Sequence, residues 1–195
     1  RLVAAEGGEA VAHRCDVTRD AEVRATVEAC LARYGRVDIL HNNVGITKAG
    51  GAVELAEDDW DRILAVNLKS MFLTCKHVLP LMERQGAGAI VNIASINAIR
   101  SLPAIAIAYA ASKAGVIALT REIAVQYAAK GIRANAILPG LMDTPMVKAQ
   151  LVGAYGGEVE GMLRRRAALC PSGQQGDAWD TARAALFLAS DEARY

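Results

Sequence analysis

Two neighbouring runs decide how this chain is read: Ala89-Ile90-Val91-Asn92-Ile93-Ala94-Ser95, and, past a loop containing Pro103, Ala108-Tyr109-Ala110-Ala111-Ser112-Lys113. The first is an apolar run of strand length ending on a hydroxyl. The second opens an Ala-rich helical pattern that continues through Val116, Leu119, Ile123 and Tyr127, with Lys130 in its last turn and Gly131 as the stop. Residues four apart share a helix face, so Tyr109 and Lys113 point the same way. A phenol is too weak an acid to exchange protons readily near neutrality, and a nearby ammonium group favours the phenolate. Tyr109 beside Lys113 is therefore a candidate general acid/base, and Ser95, facing the start of the helix, is placed to hold a substrate oxygen against it. A lone Tyr-x-x-x-Lys also occurs where the tyrosine rims a core and the lysine is solvated, so the surroundings must decide.

Working outward, strand and helix patterns alternate. Glu9–Arg14 reads as a short strand and Asp20–Tyr34 as an amphipathic helix ended by Gly35. Val37–Leu40 is the next strand, followed by the polar turn His41-Asn42-Asn43-Val44-Gly45 at its carboxyl end, the edge at which open parallel sheets bind ligands. Glu57–Gln85 is helical, with kinks expected at Asn67 and Pro80. A strand over Arg133–Leu138 ends at Pro139-Gly140, with Thr144-Pro145 just beyond. Residues 146–171 form a helical excursion, read as a substrate lid, in which the run Arg164-Arg165-Arg166 is a solvated face more often than an anion clamp. Asp177 caps a last helix ending near Ser190. The alternation predicts a doubly wound α/β fold, one parallel-sheet domain over 1–195.

Composition narrows the partners. With 195 residues and 53% hydrophobic content the chain can bury one sizeable core. Its 22 basic and 21 acidic residues are interspersed, so no field draws nucleic acid or an anionic membrane, and a small-molecule partner is expected. Cys15, Cys30, Cys75 and Cys170 show no paired spacing and read as reduced, which fits the cytoplasm. His13, His41 and His77 are equally scattered, so no metal site is expected. No stretch has the length of a membrane span. Ala110, Ala111, Ala114, Gly115 and Ala118 form a small-residue helix face suited to a symmetric copy, which predicts a homo-oligomer.

Asn42-Asn43-Val44-Gly45, Asn67, Ser95, Tyr109-x-x-x-Lys113, Pro139-Gly140 and Thr144-Pro145, in this order across nearly the whole chain, closely resemble the classical short-chain dehydrogenase/reductase family. The resemblance implies a Rossmann-type sheet and a hydride transferred between NAD or NADP and a carbonyl or secondary alcohol. It implies Tyr109 as general acid/base, Lys113 lowering its pKa and binding the nicotinamide ribose, Ser95 holding the substrate carbonyl, and Asn67 anchoring a proton-relaying water. It also implies cofactor contacts from Asp16 and Val17 at the adenine, from Asn42, Val44 and Gly45 along the cofactor, and from Pro139, Gly140 and Thr144 over the nicotinamide.

There are departures. Val44 replaces the family's usual Ala, an enlargement beside the cofactor that is tolerable if it points into a gap, and the loop from Ser95 to Tyr109 is one residue longer than the commonest spacing. The family's Gly-x-x-x-Gly-x-Gly turn, its first two strands and its last strand have no counterpart in this sequence, which therefore reads as the central portion of a longer chain whose first strand here has no neighbour to pair with. The residue that discriminates NAD from NADP belongs to the same missing part. Two alternatives stand beside the oxidoreductase: an epimerase or dehydratase using the same Tyr-Lys pair, and a catalytically inert nucleotide-binding sensor or scaffold.

Overall fold

The computed structural model describes residues 2–153 and 156–195. After a short helix α1 (Leu2–Ala5), helix α2 (Asp20–Tyr34) leads to strand β1 (Ile39–Asn42). Helix α3 (Glu57–Leu64), a π turn (Ala65–Lys69) and helix α4 (Ser70–Gln85) run on to β2 (Gly88–Ile93). Helix α5 (Ile107–Tyr127) then returns to β3 (Ile132–Ile137). The rest comprises β4 (Met142–Asp143), α6 (Pro145–Leu151), α7 (Val159–Ala168), β5 (Gly176–Asp177) and α8 (Ala178–Ala189).

Strands β1, β2 and β3 form a parallel sheet in that order, with Asn42 opposite Asn92 and Asn92 opposite Ala136. A second, two-stranded parallel pair joins β4 to β5. Ile90, Ile132 and Ala134 project from the sheet into a core with Cys75, Val78, Leu79 and Met82 of α4 and Ile123 of α5. Side chains alternate along a strand, so Val91, also fully buried, belongs to the opposite face, and α8 packs against β2 and β3. Helices thus cover both faces, as the strand-helix alternation predicts.

The expected strand at Glu9–Arg14 is not formed. A strand requires a neighbour for its backbone N–H and C=O groups, and among the described residues none lies beside this segment, which is exposed along its length. Strand β1 also begins two residues later than its apolar pattern. The Gln85 side chain accepts from the Val37 N–H at 3.1 Å and donates to the Val37 carbonyl at 2.9 Å, occupying groups that a strand would use. The kink expected at Asn67 coincides with the π turn, and Pro80 lies inside α4.

A chain of buried polar groups ties the sheet to both helices on one face. Thr74 donates to Asn42 Oδ1 at 2.9 Å, Asn42 Nδ2 to Asn92 Oδ1 at 2.8 Å, and Asn92 Nδ2 to Thr120 Oγ1 at 2.9 Å. Thr120 closes it by donating to the Val116 carbonyl at 2.7 Å. Because each member has a partner, the network stabilises the carboxyl ends of β1 and β2 without leaving buried polar atoms unpaired.

Candidate active site

The carboxyl ends of the three parallel strands open into a cavity of about 450 Å³. The segments that follow each strand line it: Asn43 and Gly45 after β1, Ser95 after β2, and Pro139 and Gly140 after β3. Tyr109 and Lys113 enter from α5, Thr144 from the N-cap of α6, and Arg166 from α7. Seven residues singled out in the sequence, Gly45, Ser95, Tyr109, Lys113, Pro139, Gly140 and Thr144, therefore meet at one place.

Lys113 is 2% exposed, and its Nζ donates to the Ile93 carbonyl at 2.6 Å, which pins it beneath the end of β2. Desolvation pulls its pKa down to about 8. Its Nζ lies 5.7 Å from the centre of the Tyr109 ring. The nearby Ser95 hydroxyl favours the phenolate, but burial of the ring outweighs this and holds the phenol above its ordinary pKa. Removing a phenolate from water costs more here than the contact with Ser95 returns. Ser95 also accepts from the Asn97 N–H at 3.2 Å, which orients its hydroxyl at the mouth of the loop.

Asn67 lies behind this wall, fully buried in the π turn. Its Oδ1 accepts from the Ile46 N–H at 2.9 Å, and its Nδ2 donates to the Ile46 carbonyl at 2.9 Å and to Ser112 Oγ at 3.0 Å. The amide therefore clamps the turn after β1 to α5. A methyl group on Gly45 would lie 3.5 Å from both Asn67 Oδ1 and Lys113 Nζ, so this turn passes directly between the two.

Other expected contacts fall outside the cavity lining. The Asn42 side chain is committed to the buried network, and Val44 is 52% exposed and outside the cavity lining. Asp16 accepts from the Thr18 hydroxyl at 2.7 Å, contacts that lower its pKa, and neither it nor Val17 reaches the cavity. Arg166 is the residue that sequence reasoning passed over. Arg164 is a solvated side chain as expected of the run, but Arg166 is 3% exposed and lines the cavity. Helical spacing was the available signal: Arg166 stands four residues after Met162, which is also buried.

The residues present fit the nicotinamide end of a dinucleotide. Gly45 and Gly140 leave the backbone uncovered, Lys113 supplies a cation, and Thr144 caps a helix with Oγ1 accepting from the Val147 N–H at 3.4 Å. Among the described residues, no helix is long and apolar enough to cross a membrane.

Comparison with known proteins agrees with this geometry. A family model described as enoyl-(acyl carrier protein) reductase matches residues 1–195. A 3-oxoacyl-[acyl-carrier-protein] reductase of Thermotoga maritima is 40% identical over 180 residues, covering 92% of this chain and 70% of the relative. A crystal structure from Burkholderia xenovorans, provisionally described as a short-chain dehydrogenase/reductase, is 53% identical with a TM-score of 0.94, over 99% of this chain and 73% of that one. An NAD+-bound xylitol dehydrogenase is 31% identical with a TM-score of 0.91, over 98% of this chain and 77% of that one. The chain belongs to the short-chain dehydrogenase/reductase family, as an oxidoreductase that moves a hydride between NAD or NADP and a carbonyl/alcohol pair.

Proposed function

We propose that Tyr109 is the general acid/base of this hydride transfer, with Ser95 holding the reacting oxygen and Lys113 supporting the proton movement. The observation that carries the reading is the convergence of Ser95, Tyr109 and the buried Lys113 on the wall of one cavity. The cofactor supplies the hydride. In reduction, the Ser95 and Tyr109 hydroxyls donate to the substrate carbonyl oxygen, and Tyr109 passes its proton to that oxygen as negative charge develops there. A phenol held above its ordinary pKa is fully protonated at neutral pH and ready to act as the acid. Lys113, with its pKa near 8, is poised to exchange a proton in the same range. In alcohol oxidation the same groups act in reverse.

Asn67 is a positioning residue in this reading, holding the Gly45 turn against α5. Gly45, Lys113, Pro139, Gly140 and Thr144 hold the nicotinamide half. Asn42 and Val44 contribute through the backbone of the same turn, and Asp16 and Val17 serve the adenine end. Residues 146–171 act as the lid: Met146, Val147 and Arg166 already line the cavity, while 154–155 lie outside the described residues. Ala111, Ala114 and Ala118 are exposed on α5 and support a homo-oligomer. Gly115 serves the chain's own packing instead, since a methyl group there would lie 2.6 Å from Leu68 Cδ2. All four cysteines are free, in keeping with a cytoplasmic protein.

Tyr109→Phe tests the mechanism. It is expected to abolish turnover while NAD(P)H binding, followed by fluorescence titration, is retained. Near-normal turnover would refute the assignment.

A further inference from the structure

The cavity wall carries two buried cations, Lys113 and Arg166, and among the described residues none that lines it is Asp or Glu. Lys113 belongs to the reacting centre described above, but Arg166 has no part in it. The Arg166 guanidinium is held by neutral groups: Nε donates to Gln175 Oε1 at 2.9 Å and Nη2 to the Met142 carbonyl at 3.4 Å. Among the described residues no carboxylate pairs with it. Asp143, next to Met142 in the chain, is engaged by Lys148 at 2.9 Å. Arg164, two residues earlier on α7, reaches Glu158 and Glu160 in solvent.

A guanidinium without a counter-charge is costly to bury, and the cost falls when an anion arrives in its place. Its planar fork suits an oxygen anion in particular. The contacts to Gln175 and Met142 fix the group at the wall, so its order does not depend on the ligand.

We infer that Arg166 is a specificity-determining residue that receives a carboxylate on the substrate, so that the compounds turned over are oxo acids and the corresponding hydroxy acids. This rests on the Ser95–Tyr109 reading of the reacting centre, because the carbonyl end of the same molecule is placed there. Two fixed anchors, one at Ser95 and Tyr109 and one at Arg166, then select the number of carbons between the carbonyl and the acid.

The test compares 3-oxobutanoate, 4-oxopentanoate and 5-oxohexanoate with their methyl esters, using the purified protein with NADH and with NADPH. At least one acid is expected to exceed its ester in kcat/KM by about tenfold or more, the scale of a charge-assisted hydrogen bond. Arg166→Gln should bring that ratio close to one, mainly through KM, and Arg166→Lys should restore part of it. A purely structural role would lower acid and ester together and leave the ratio unchanged, which would overturn the inference. Dissociation constants measured by calorimetry on the cofactor-loaded wild type give the same ratio without turnover. Acid bound over ester by an inactive enzyme would refute the catalytic assignment while supporting the anion site. Equal constants for every acid and ester pair would overturn the anion site whatever the turnover.

Discussion

Lys113 Nζ donates to the carbonyl oxygen of Ile93 at 2.6 Å, joining the cation of the site to the end of the central strand. The bond fixes the position of the ammonium group but does not replace its lost hydration, which is why its pKa falls from 10.5 to about 8. Unfolded, the lysine keeps its proton to higher pH than it does folded. Between those two values the unfolded state binds more protons, so stability rises with pH across that window. Lys113→Met removes this dependence. Relative to the variant, the wild type should gain about 3 kcal/mol between pH 7 and pH 10.5. Urea unfolding of both proteins at several pH values measures it, and parallel stability curves would contradict the burial of the charge.

The Ser95 hydroxyl opposes the upward push that burial exerts on the Tyr109 phenol. Ser95→Ala removes the opposing contact, so the Tyr109 pKa should rise further. In alcohol oxidation, where Tyr109 must act as the base, the ascending limb of the kcat/KM profile should move to higher pH in the variant. A limb that stays in place with only its height reduced would mean that Ser95 binds substrate without touching the acid/base.

Two helix stops meet at the amino end of the sheet. A methyl group on Gly131 would lie 2.2 Å from the Gly86 carbonyl oxygen, and Gly131 itself has φ of +74°. Gly35 has the same φ but nothing within 4 Å of such a methyl group. Gly35→Ala should therefore cost only the left-handed backbone penalty, about 1 kcal/mol. Gly131→Ala adds a clash with main chain that cannot rotate away and should cost roughly 2–4 kcal/mol. Chemical denaturation of the two variants compares them directly; equal losses would show that the two stops can separate.

Asn67 supplies both hydrogen-bond partners of the Ile46 backbone and one of Ser112. Asn67→Ala leaves part-buried backbone groups of Ile46 unpaired and should lower stability by about 1–3 kcal/mol. The freed Gly45 turn should also raise the KM for the nicotinamide cofactor more than that for the carbonyl substrate. An unchanged cofactor KM would separate Asn67 from the turn it contacts.

Local pattern was sufficient wherever a residue's neighbours in the chain set its conformation. Gly35 and Gly131 end their helices in the left-handed region, and Asp177 caps α8, accepting from the N–H groups of Trp179 at 2.7 Å and Asp180 at 3.1 Å. Helical geometry alone puts Tyr109 and Lys113 on one face. The order of apolar strands and amphipathic helices was enough for a parallel sheet with its site at the carboxyl edge, and the Ser95, Tyr109 and Lys113 constellation was readable there before any coordinates.

Partners distant in the chain decided the rest. Gln85 moves the start of β1 by capturing Val37, and the absence of a neighbouring strand among the described residues leaves Glu9–Arg14 unpaired. Asn42 is drawn into the network with Thr74 and Asn92, while Arg166 is picked from a run of three arginines to face the cavity. The desolvation of the Tyr109 phenol was equally hidden, because helical spacing reports that a lysine is near and only the packed structure reports how much water the phenol has lost. Covalent geometry and short-range sterics act within a few residues and so are written into the sequence order. Burial and the choice of hydrogen-bond partner depend on which segments meet after folding, and these set the electrostatics of the site.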